Sequence, residues 1–424
     1  MLVSLKDFWP KLRKNVLRRR QPFTTFNWRF LLPGQSRGVR IHRYVFFNMH
    51  RNYPRSLRVL AAVYNLGRWW LYFAIREVII VYKAGNKTCS EKYEIAKSRQ
   101  IIDLFAITFA YCIPAWEYYQ SRLHQWPRSQ WLDFAYDFQA TAWHEALAYE
   151  NSRQSHELLN NKAQTEQFLT RHNLSALTAL KLNEADAEII EEDIEKFPDE
   201  FFIKPTVGNR SLGCLTIRKH TELEDKILFE FEHFQNSAIF RHKTLEDINK
   251  FIGKQEYLVQ PVERNHPDLV KLLDTDKLGT IRLVSSNTKD GIFAQTAVLE
   301  APVKYKPAVY WNAAIDIDSG ELLEPTNKNI LDNEDFKDWF DKVKGKTFPS
   351  WSDLKSLCLA AHAKLPEFLT IGWDMALTQS GPKIVEGNIC WGLKQYQQVM
   401  QVPLLQTRIG SMYFDFISKS SGLE

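Results

Sequence analysis

The sequence of 424 residues predicts an α+β protein in which a helical N-terminal region precedes two α/β subdomains. Three observations support this prediction. Residues 1–150 are rich in Trp, Tyr and Phe at helical spacing, residues 151–255 alternate helical and strand patterns, and residues 256–424 continue that alternation up to a C-terminal hairpin. The length and an apolar content of 45% are sufficient for two to three globular domains with buried cores.

The N-terminal region is strongly basic. Residues 1–76 contain sixteen Lys and Arg and a single acid, Asp7, and because the whole chain has a formal net charge of +5, the remaining residues sum to −10. Aromatic residues lie between these cations, which is compatible with an anionic membrane leaflet, an acidic glycan or RNA as partner. We do not expect nucleic acid to be the principal partner. Solvated helix faces over an aromatic core are the alternative.

The chain shows no secretory or membrane-spanning pattern. Its N-terminus has charges throughout and no apolar stretch of seven or more residues, and the five cysteines form no CxxC pair, which favours a reducing compartment. The apolar segments 69–82 and 104–116 are shorter than the roughly 20 residues of a spanning helix. We therefore expect buried or interfacial helices there, in a cytoplasmic protein that is at most peripheral to the inner membrane.

The middle of the chain predicts helices and strands in turn. In "NEADAEIIEEDIEKFP" we expect a helix that Asn183 caps and Pro198 ends. "FFIKPT" and "CLTIRK" predict two strands joined by a loop, and "EYLVQPV" and "GTIRLVSS" predict two more. "KTLEDINKFIG" predicts a helix with Thr244 and Asp247 as a capping box and Gly253 at its end. Further on, "SDLKSLCLAAHAKLP" predicts a helix that Ser352 caps.

The hairpin "LTIGWDMALTQSGPKIVEGN" is the most informative part of the sequence. A three-residue loop ending in Gly381 would place Asp374 directly opposite Glu386, and Ala376 opposite Ile384. A plain strand of period two would also put Ile384 and Glu386 on the same face. Two carboxylates that face each other repel unless a cation lies between them.

This pairing predicts a divalent metal site. Asn388 lies two residues beyond Glu386 on the same predicted face, so the set comprises Asp374, Glu386 and an amide oxygen. Hard oxygen ligands favour Mg²⁺ or Mn²⁺, and without His or Cys in the set zinc is not expected. The alternative is that Glu386 makes a local ion pair or cap while Asp374 points to solvent.

Two basic side chains are candidates for phosphate binding. Lys204 ends a predicted strand before a turn flanked by Gly208 and Gly213, whose backbone N–H groups could approach phosphate oxygens, although this is not a Walker A loop and an ordinary hairpin is the alternative. Arg282 lies in mid-strand, where it needs an anionic partner, either a phosphate or a structural carboxylate. His144 has no partner at a useful spacing, and we expect a core or capping histidine.

Taken in order, these segments resemble the ATP-grasp superfamily, specifically the sugar-transfer-associated ATP-grasp family of bacterial surface-polysaccharide genes. The resemblance spans about residues 155–400. It implies an ATP-grasp fold with two α/β subdomains that clasp a nucleotide. Six segments carry the resemblance: "NNKAQTEQFL", "FFIKPTVGNRSLGCLTI", "EYLVQPVERNHPDLVKL", "GTIRLV", "AAIDIDSGELL" and "IGWDMALTQSGPKIVEGN".

The resemblance also implies roles for individual residues. Lys204 and Arg282 would be the catalytic residues, and the loop between Gly208 and Gly213 would be the lid over the phosphates. Asp374, Glu386 and Asn388 would hold Mg²⁺ or Mn²⁺. The implied nucleotide-binding residues are Lys162, Lys204, Gly208, Gly213, Gln260, Val262 through its backbone, and Arg282.

The function implied is that of an ATP- and Mg²⁺-dependent ligase. It would form an amide-type bond through an acyl phosphate, acting on a small molecule or glycan in surface-polysaccharide or related metabolite biosynthesis. Two alternatives remain open at this point. The same fold could transfer the γ-phosphoryl group to a hydroxyl as a kinase does, or the chain could be a non-catalytic nucleotide-binding protein at the membrane periphery.

Overall fold

The computed structural model describes residues 19–49, 54–208, 212–221, 227–233, 238–303, 309–324 and 334–420. The chain forms two compact units. Unit 1 comprises Met1–Ala148 and Cys390–Glu424, and unit 2 comprises Tyr149–Ile389. The sequence-based division kept residues 256–424 together, whereas in the structure the C-terminal segment from Cys390 belongs to unit 1.

The first part of unit 1 is helical. Its α-helices are α1 (Arg37–Asn48), α2 (Arg55–Arg68), α3 (Ala74–Tyr93), α4 (Lys97–Phe105), α5 (Trp116–Gln120) and α6 (Ala140–Ala146). Two π-helical segments (Trp69–Phe73, Ala106–Ala110) and four 3₁₀ helices (Trp28–Leu31, Leu123–Gln125, Arg128–Asp133, Asp137–Gln139) complete it. In the described part of the chain, no helix has the length and apolarity needed to cross a membrane. Segment 69–82 is helical throughout, as predicted, and segment 104–116 is helical up to Ala110.

Aromatic side chains form the core of unit 1, as their density in the sequence predicts. Phe30, Tyr118, Trp131 and Tyr136 are fully buried in one cluster with aliphatic neighbours. The polar tips of these rings have partners, since the Trp131 indole donates to the carbonyl of Leu123 at 3.0 Å. Such rings contribute large buried areas while their N–H and O–H groups stay hydrogen-bonded.

Unit 2 contains two antiparallel sheets. The first has six strands in the order β1-β6-β2-β3-β4-β5. They are β1 (Lys181–Asn183), β2 (Glu200–Pro205), β3 (Leu215–Thr221), β4 (Ile227–His233), β5 (Ile239–Lys243) and β6 (Tyr257–Pro261). The second has five strands in the order β11-β10-β7-β8-β9. They are β7 (Thr280–Thr288), β8 (Gly291–Pro302), β9 (Tyr310–Ile315), β10 (Thr370–Thr378) and β11 (Gly381–Asn388).

Helices of unit 2 surround these sheets. After a 3₁₀ helix at Glu150–Ser155 they are α7 (His156–Asn160), α8 (Lys162–Arg171), α9 (Glu191–Lys196), α10 (Leu245–Ile252), α11 (Pro267–Leu273), α12 (Glu334–Val343) and α13 (Trp351–Ala363). The capping box of Thr244 and Asp247 is confirmed, and Gly253 ends α10 with a φ of 60°. Helix α13 packs Leu354 and Cys358 into the core of the five-stranded sheet.

Two predicted helix caps are wrong. Asn183 lies in β1, and α9 begins only at Glu191, where three consecutive acids occupy the first turn and favour the positive end of the helix dipole. Ser352 lies inside α13, because the helix begins at Trp351 and Ser350 precedes it with a φ of 53°.

The chain returns to unit 1 for its last residues. These form α14 (Gln395–Met400), a 3₁₀ helix (Leu404–Gln406) and α15 (Arg408–Ser420). The buried Lys394 ammonium lies 2.9 Å from the Glu117 carboxylate, and Trp391 accepts from His144 through its carbonyl at 2.9 Å. His144 is buried, which lowers its pKa to about 4 and confirms a core histidine.

Candidate active site

A row of charged residues crosses the five-stranded sheet on three adjacent strands. Arg282 of β7 pairs with Asp374 of β10, and Asp374 pairs on its other side with Glu386 of β11. Their neighbours Leu283 and Trp373 belong to the hydrophobic core. Since side chains alternate between the two faces of a strand, the charged row occupies the face opposite the core.

The predicted pairing of Asp374 with Glu386 is confirmed, but the loop is shorter than predicted and a β-bulge restores the register. The hairpin loop has two residues, since Thr378 pairs with Gly381, and this register alone would place Asp374 opposite Val385. A β-bulge next to Asp374 inserts one extra residue in β11 and restores the pair with Glu386.

The bulge also changes which residues share a face. Ile384 pairs with Met375 and belongs to the core, not with Ala376 as the three-residue loop predicted. Glu386 therefore lies on the face opposite Ile384. The prediction that both point the same way was wrong, because an extra residue shifts the period-two alternation by one.

Arg282 and Asp374 form a two-pronged ion pair. The Arg282 Nε donates to Asp374 Oδ1, and its Nη2 donates to Oδ2 at 3.1 Å. Burial raises the pKa of Asp374 to about 7, with Glu386 adding to the rise and Arg282 opposing it. Burial alone would lower the pKa of Arg282, but Asp374, Glu300 and Glu386 together raise it. The structural-carboxylate alternative for Arg282 is thus present, and its contact with phosphate stays a prediction.

Asn388 lies between the two carboxylates. Its Nδ2 donates to Asp374 Oδ2 at 3.3 Å and to Glu386 Oε1 at 3.2 Å, so both acids converge on one point. Rotation of the amide by half a turn exchanges its nitrogen and oxygen. In that orientation the three side chains present only oxygen atoms to the same point.

Two lysines approach Glu386. The Lys162 Nζ lies 3.7 Å from Glu386 Oε2 and donates to the carbonyl of Gly208 at 2.8 Å. Burial would raise the pKa of Glu386, but the ammonium groups of Lys162 and Lys204 outweigh burial and lower the pKa. Lys162 begins α8, and Asn161 caps that helix through Ala163 and Gln164.

Lys204 is buried on the polar face of the six-stranded sheet. Phe201 and Ile203 of the same strand point into the hydrophobic core of that sheet. Lys204 lies on the other face, where it interacts electrostatically with Glu386. Burial lowers the pKa of Lys204, and Glu386 opposes that shift. The structure therefore brings Lys162, Lys204 and the charged row of the other sheet together.

The predicted adenine contacts lie on the same sheet as Lys204. Gln260 of β6 pairs with Phe202, two residues before Lys204 along β2, so period two places Gln260 and Lys204 on one face. The Gln260 amide donates to the carbonyl of Leu177 at 3.2 Å, which fixes its orientation. Val262 follows the end of β6. Contact of either residue with adenine stays a prediction.

The predicted lid is described only at its ends. Residues 209–211 lie outside the described part of the chain. Gly213 has a φ of 76°, and a Cβ there would lie 3.0 Å from the Tyr257 hydroxyl, so this position favours glycine. Gly208 is held by Lys162 through its carbonyl.

Glu300 is a site residue that the sequence reasoning missed. It lies on β8 opposite Thr280, raises the pKa of Asp374, and interacts electrostatically with Arg282. Its neighbours Leu299 and Ala301 are in the core, so Glu300 shares the polar face with the charged row. The alternation in "AVLEAP", with a charge among apolar residues, could have identified it.

The donor set fits a hard divalent cation. Within the described ranges no three His, Cys, Asp or Glu side chains are arranged to hold a metal ion. The set here comprises two carboxylates and an amide, and burial, together with the neighbouring Glu386, raises the pKa of Asp374, so a cation between the two carboxylates would favour its ionised form. Oxygen ligands of this kind suit Mg²⁺ or Mn²⁺.

Residues 144–410 match the family described as "Sugar-transfer associated ATP-grasp". The chain belongs to this family. The fold predicted from the sequence, an ATP-grasp fold with additional N-terminal helices, is thereby confirmed. The comparison with curated protein sequences gave no significant match.

Solved structures of ATP-grasp enzymes are similar to this family member at low identity. D-Alanine-D-alanine ligase from Helicobacter pylori is 14% identical over 60% of each chain, with a TM-score of 0.37. The ATP-grasp ligase PsnB complexed with minimal precursor is 16% identical over 67% of this chain and 68% of that chain, with a TM-score of 0.35. VanG D-Ala:D-Ser ligase from Enterococcus faecalis is 11% identical over 65% and 68%, with a TM-score of 0.37. The match thus spans 60% of the length of the H. pylori enzyme.

Proposed function

We propose that this ATP-grasp protein is an ATP- and divalent metal-dependent ligase that joins a carboxylate to an amine. One observation carries the proposal: Lys162 and Lys204 meet the row Arg282–Asp374–Glu386 in a single site. The two lysines can bind the phosphates of a nucleotide, and the adjacent carboxylates can bind the metal ion that accompanies those phosphates. Activation of a carboxylate by ATP needs both the phosphate-binding cations and the metal ligands.

Each group has a definite task in this proposal. Lys162 and Lys204 bind phosphate oxygens of the nucleotide, and Gln260 and the backbone at Val262 position the base. Asp374, Glu386 and the amide oxygen of Asn388 hold Mg²⁺ or Mn²⁺. When bound, the metal ion offsets negative charge on the phosphates during transfer. Arg282 keeps Asp374 in place through its two N–H donors and adds positive charge beside the reacting oxygens.

The reaction proceeds in two steps. A carboxylate oxygen of the substrate attacks the γ-phosphorus, the bond to the β-phosphate oxygen breaks, and ADP leaves. The amine then attacks the acyl carbon of the acyl phosphate, an amide-type bond forms, and inorganic phosphate leaves as the amine loses a proton. Arg282 and Lys204 stabilise the oxyanion that develops in each step.

The family description supports a substrate class. Because it refers to association with sugar transfer, we infer a carboxylate or amine carried by a small molecule or glycan, such as a uronic acid or an amino sugar. Surface-polysaccharide or related metabolite biosynthesis is the corresponding setting.

A substrate panel tests this proposal. Pairs of uronic acids, amino acids and amino sugars are supplied with ATP and Mg²⁺, and ADP release and condensed products are measured by mass spectrometry. The carboxylate oxygens carry a heavy isotope, and we expect that label in the inorganic phosphate, because the acyl phosphate transfers one carboxylate oxygen to it.

The panel also separates the alternatives. A phosphorylated hydroxyl acceptor without labelled phosphate would contradict the ligase and establish a kinase. Nucleotide binding without acceptor-dependent ADP release across the panel would contradict turnover altogether.

A variant of the metal set, Glu386→Gln, tests the same proposal, and Glu230→Gln is its matched control. Glu230 pairs with Arg218 and Arg241 in the six-stranded sheet and has no place in the metal set.

A further inference from the structure

The helix from Arg55 to Tyr93 in unit 1 exposes a long apolar side. Helix α2, the π-helical segment and α3 follow one another without a break, which gives a rod roughly 60 Å long at 1.5 Å per residue. Ten large apolar side chains on it have exposed fractions between 39% and 78%, and they are Leu57, Val59, Leu60, Val63, Tyr64, Leu71, Tyr72, Ile75, Ile79 and Ile80. Within each half of the helix they recur at intervals of three or four residues, as at 57, 60 and 64 before the π-helical segment and at 71, 75 and 79 from it onward, so each half has one apolar side.

The π-helical segment keeps the exposed and buried faces separate. The buried residues of this helix are Ala62, Asn65, Trp69, Ala74 and Val78, at intervals of three, four, five and four. The step of five spans Trp69–Phe73, where a π turn accommodates one more residue than an α turn. The extra residue thus keeps the buried side chains of both halves on one side of the helix, and the exposed apolar side chains of both halves lie away from it.

This helix has many more cations than acids. Residues 55–93 contain seven Lys and Arg and two acids, Glu77 and Glu91. The Glu77 carboxylate accepts from the backbone N–H of Ala115 at 2.5 Å, and burial raises its pKa to about 7. Its carboxylate is therefore directed into unit 1, and the other acid, Glu91, lies 4.0 Å from Lys87 close to the end of the helix.

Cations follow the exposed apolar residues by one helical turn. Arg68 comes four residues after Tyr64, and its guanidinium lies 5.5 Å from the Tyr64 ring centroid. Lys83 comes four residues after Ile79 in the same way. Long basic side chains in this arrangement bury their methylene groups beside apolar neighbours and extend their charges to a polar boundary.

We propose that this face docks unit 1 on an anionic lipid bilayer, with the helix parallel to the membrane plane. The apolar side chains enter the boundary between headgroups and acyl chains, and the cations contact lipid phosphates. A second copy of the chain fits this face less well, because two-fold pairing would bring together two surfaces with the same excess of positive charge. The proposal does not depend on the reaction that unit 2 catalyses.

Flotation of the full-length protein with vesicles tests the docking surface. We expect binding to vesicles of phosphatidylglycerol and phosphatidylcholine in equal parts, and much weaker binding to phosphatidylcholine alone. The triple variant Leu60→Gln, Leu71→Gln, Ile79→Gln should lose binding about tenfold or more, because each change removes an inserted apolar group. The matched control is Ile227→Gln, Ile239→Gln, Phe293→Gln, at exposed positions of the sheets in unit 2, and it should bind as wild type.

A second variant tests the charges and does not disturb the apolar residues. Arg68→Gln, Arg76→Gln, Lys83→Gln should weaken binding to the anionic vesicles and flatten its dependence on salt. For the depth of insertion, Leu71→Cys in a Cys390→Ser background carries a polarity-sensitive fluorophore, since Cys390 is the one exposed cysteine of the chain. Its emission should shift to the blue with anionic vesicles, and that of Phe293→Cys should not.

Three results would overturn the proposal. One is the absence of vesicle binding by folded wild-type protein, with folding checked by circular dichroism. Another is binding that the charge variant and the triple variant both retain. The third is sedimentation as a dimer that the triple variant abolishes, without vesicle binding, which would assign the face to a second copy.

Discussion

Replacing Glu386 by glutamine keeps the shape of the side chain and removes its negative charge from the proposed metal site. In the wild-type protein this carboxylate interacts with Lys162 and Lys204, the two cations that we assign to the nucleotide phosphates. Glu386→Gln should therefore separate two properties that the native side chain combines. Metal-dependent turnover should fall, whereas binding of ATP in the absence of metal should improve.

The size of both effects follows from the geometry. At the 3.7 Å between Lys162 Nζ and Glu386 Oε2, Coulomb's law with an effective dielectric constant of about 20 gives an attraction of about 4 kcal/mol. Solvation of the separated charges cancels most of it, and a remainder of about 1.4 kcal/mol would improve metal-free ATP affinity about tenfold. Loss of a metal ligand costs several kcal/mol of transition-state stabilisation, which corresponds to a fall in turnover of about a hundredfold or more.

Two assays measure these effects on the same preparations. Isothermal titration gives the affinity for ATP with and without Mg²⁺, and ADP release gives turnover with the best pair of substrates from the panel. Glu230→Gln should match wild type in both. If Glu386→Gln turned over ATP at the wild-type rate with unchanged Mg²⁺ dependence, Glu386 would have no part in the metal site and the proposed function would lose its basis.

Three further predictions concern stability. Arg282→Met leaves the buried Asp374 without its cation and should lower the free energy of unfolding by about 3 kcal/mol at pH 8. The loss should be smaller at pH 6, since a carboxyl with a raised pKa takes up a proton in the folded state, and urea unfolding at both pH values checks this. Burial lowers the pKa of His42, His144 and His362 to about 4, so the unfolded chain binds protons first as pH falls below about 6.5. Each of these histidines should then lower the free energy of unfolding by about 1.4 kcal/mol per pH unit as the pH falls towards 4. In His362→Asn the free energy of unfolding should therefore depend less steeply on pH than in wild type. Gly213→Ala places a side chain at a φ of 76° and close to the Tyr257 hydroxyl, and should cost about 1–2 kcal/mol. An unchanged thermal midpoint in Gly213→Ala would contradict this.

Local patterns predicted much of unit 2. The strands around Lys204 and Arg282 and the helix capped by Thr244 are where the sequence places them, because alternation and capping depend on neighbouring residues. The caps at Asn183 and Ser352 were wrong for a related reason. A polar side chain near a helical pattern is compatible with several starting points, and only tertiary packing decides among them.

Local sequence patterns could not predict that the C-terminal segment from Cys390 belongs to unit 1. The segment from Cys390 follows the metal-site strand directly, which indicated continuity with unit 2. Its place depends on contacts distant in sequence, such as the buried pair of Lys394 with Glu117. Hydrophobic periodicity along the sequence carries no information about such pairs.

The pairing within the site was predicted correctly from an incorrect loop. Because side chains alternate along a strand, Asp374 and Glu386 share a face only if the loop and any bulge together contain an odd number of residues. This rule does not determine whether the odd residue lies in the loop or in a strand. The structure has a two-residue turn, and the extra residue is Val385 at the bulge. This placement puts Ile384 in the core and Glu386 beside Asp374, which a longer loop would not have done.

The charges of the site are arranged in pairs before any nucleotide binds. Arg282 holds Asp374, and Lys162 approaches Glu386, so each buried or half-buried charge has an opposite partner. ATP alone would bring its phosphates against the carboxylates, and a metal ion alone would meet the lysines. When both bind together, the lysines would pass from Glu386 to the phosphates and both carboxylates would gain the metal, while Arg282 keeps its contact with Asp374. We therefore expect strong mutual dependence: Mg²⁺ should raise ATP affinity far more in wild type than in Glu386→Gln, and equal gains in the two proteins would refute this arrangement.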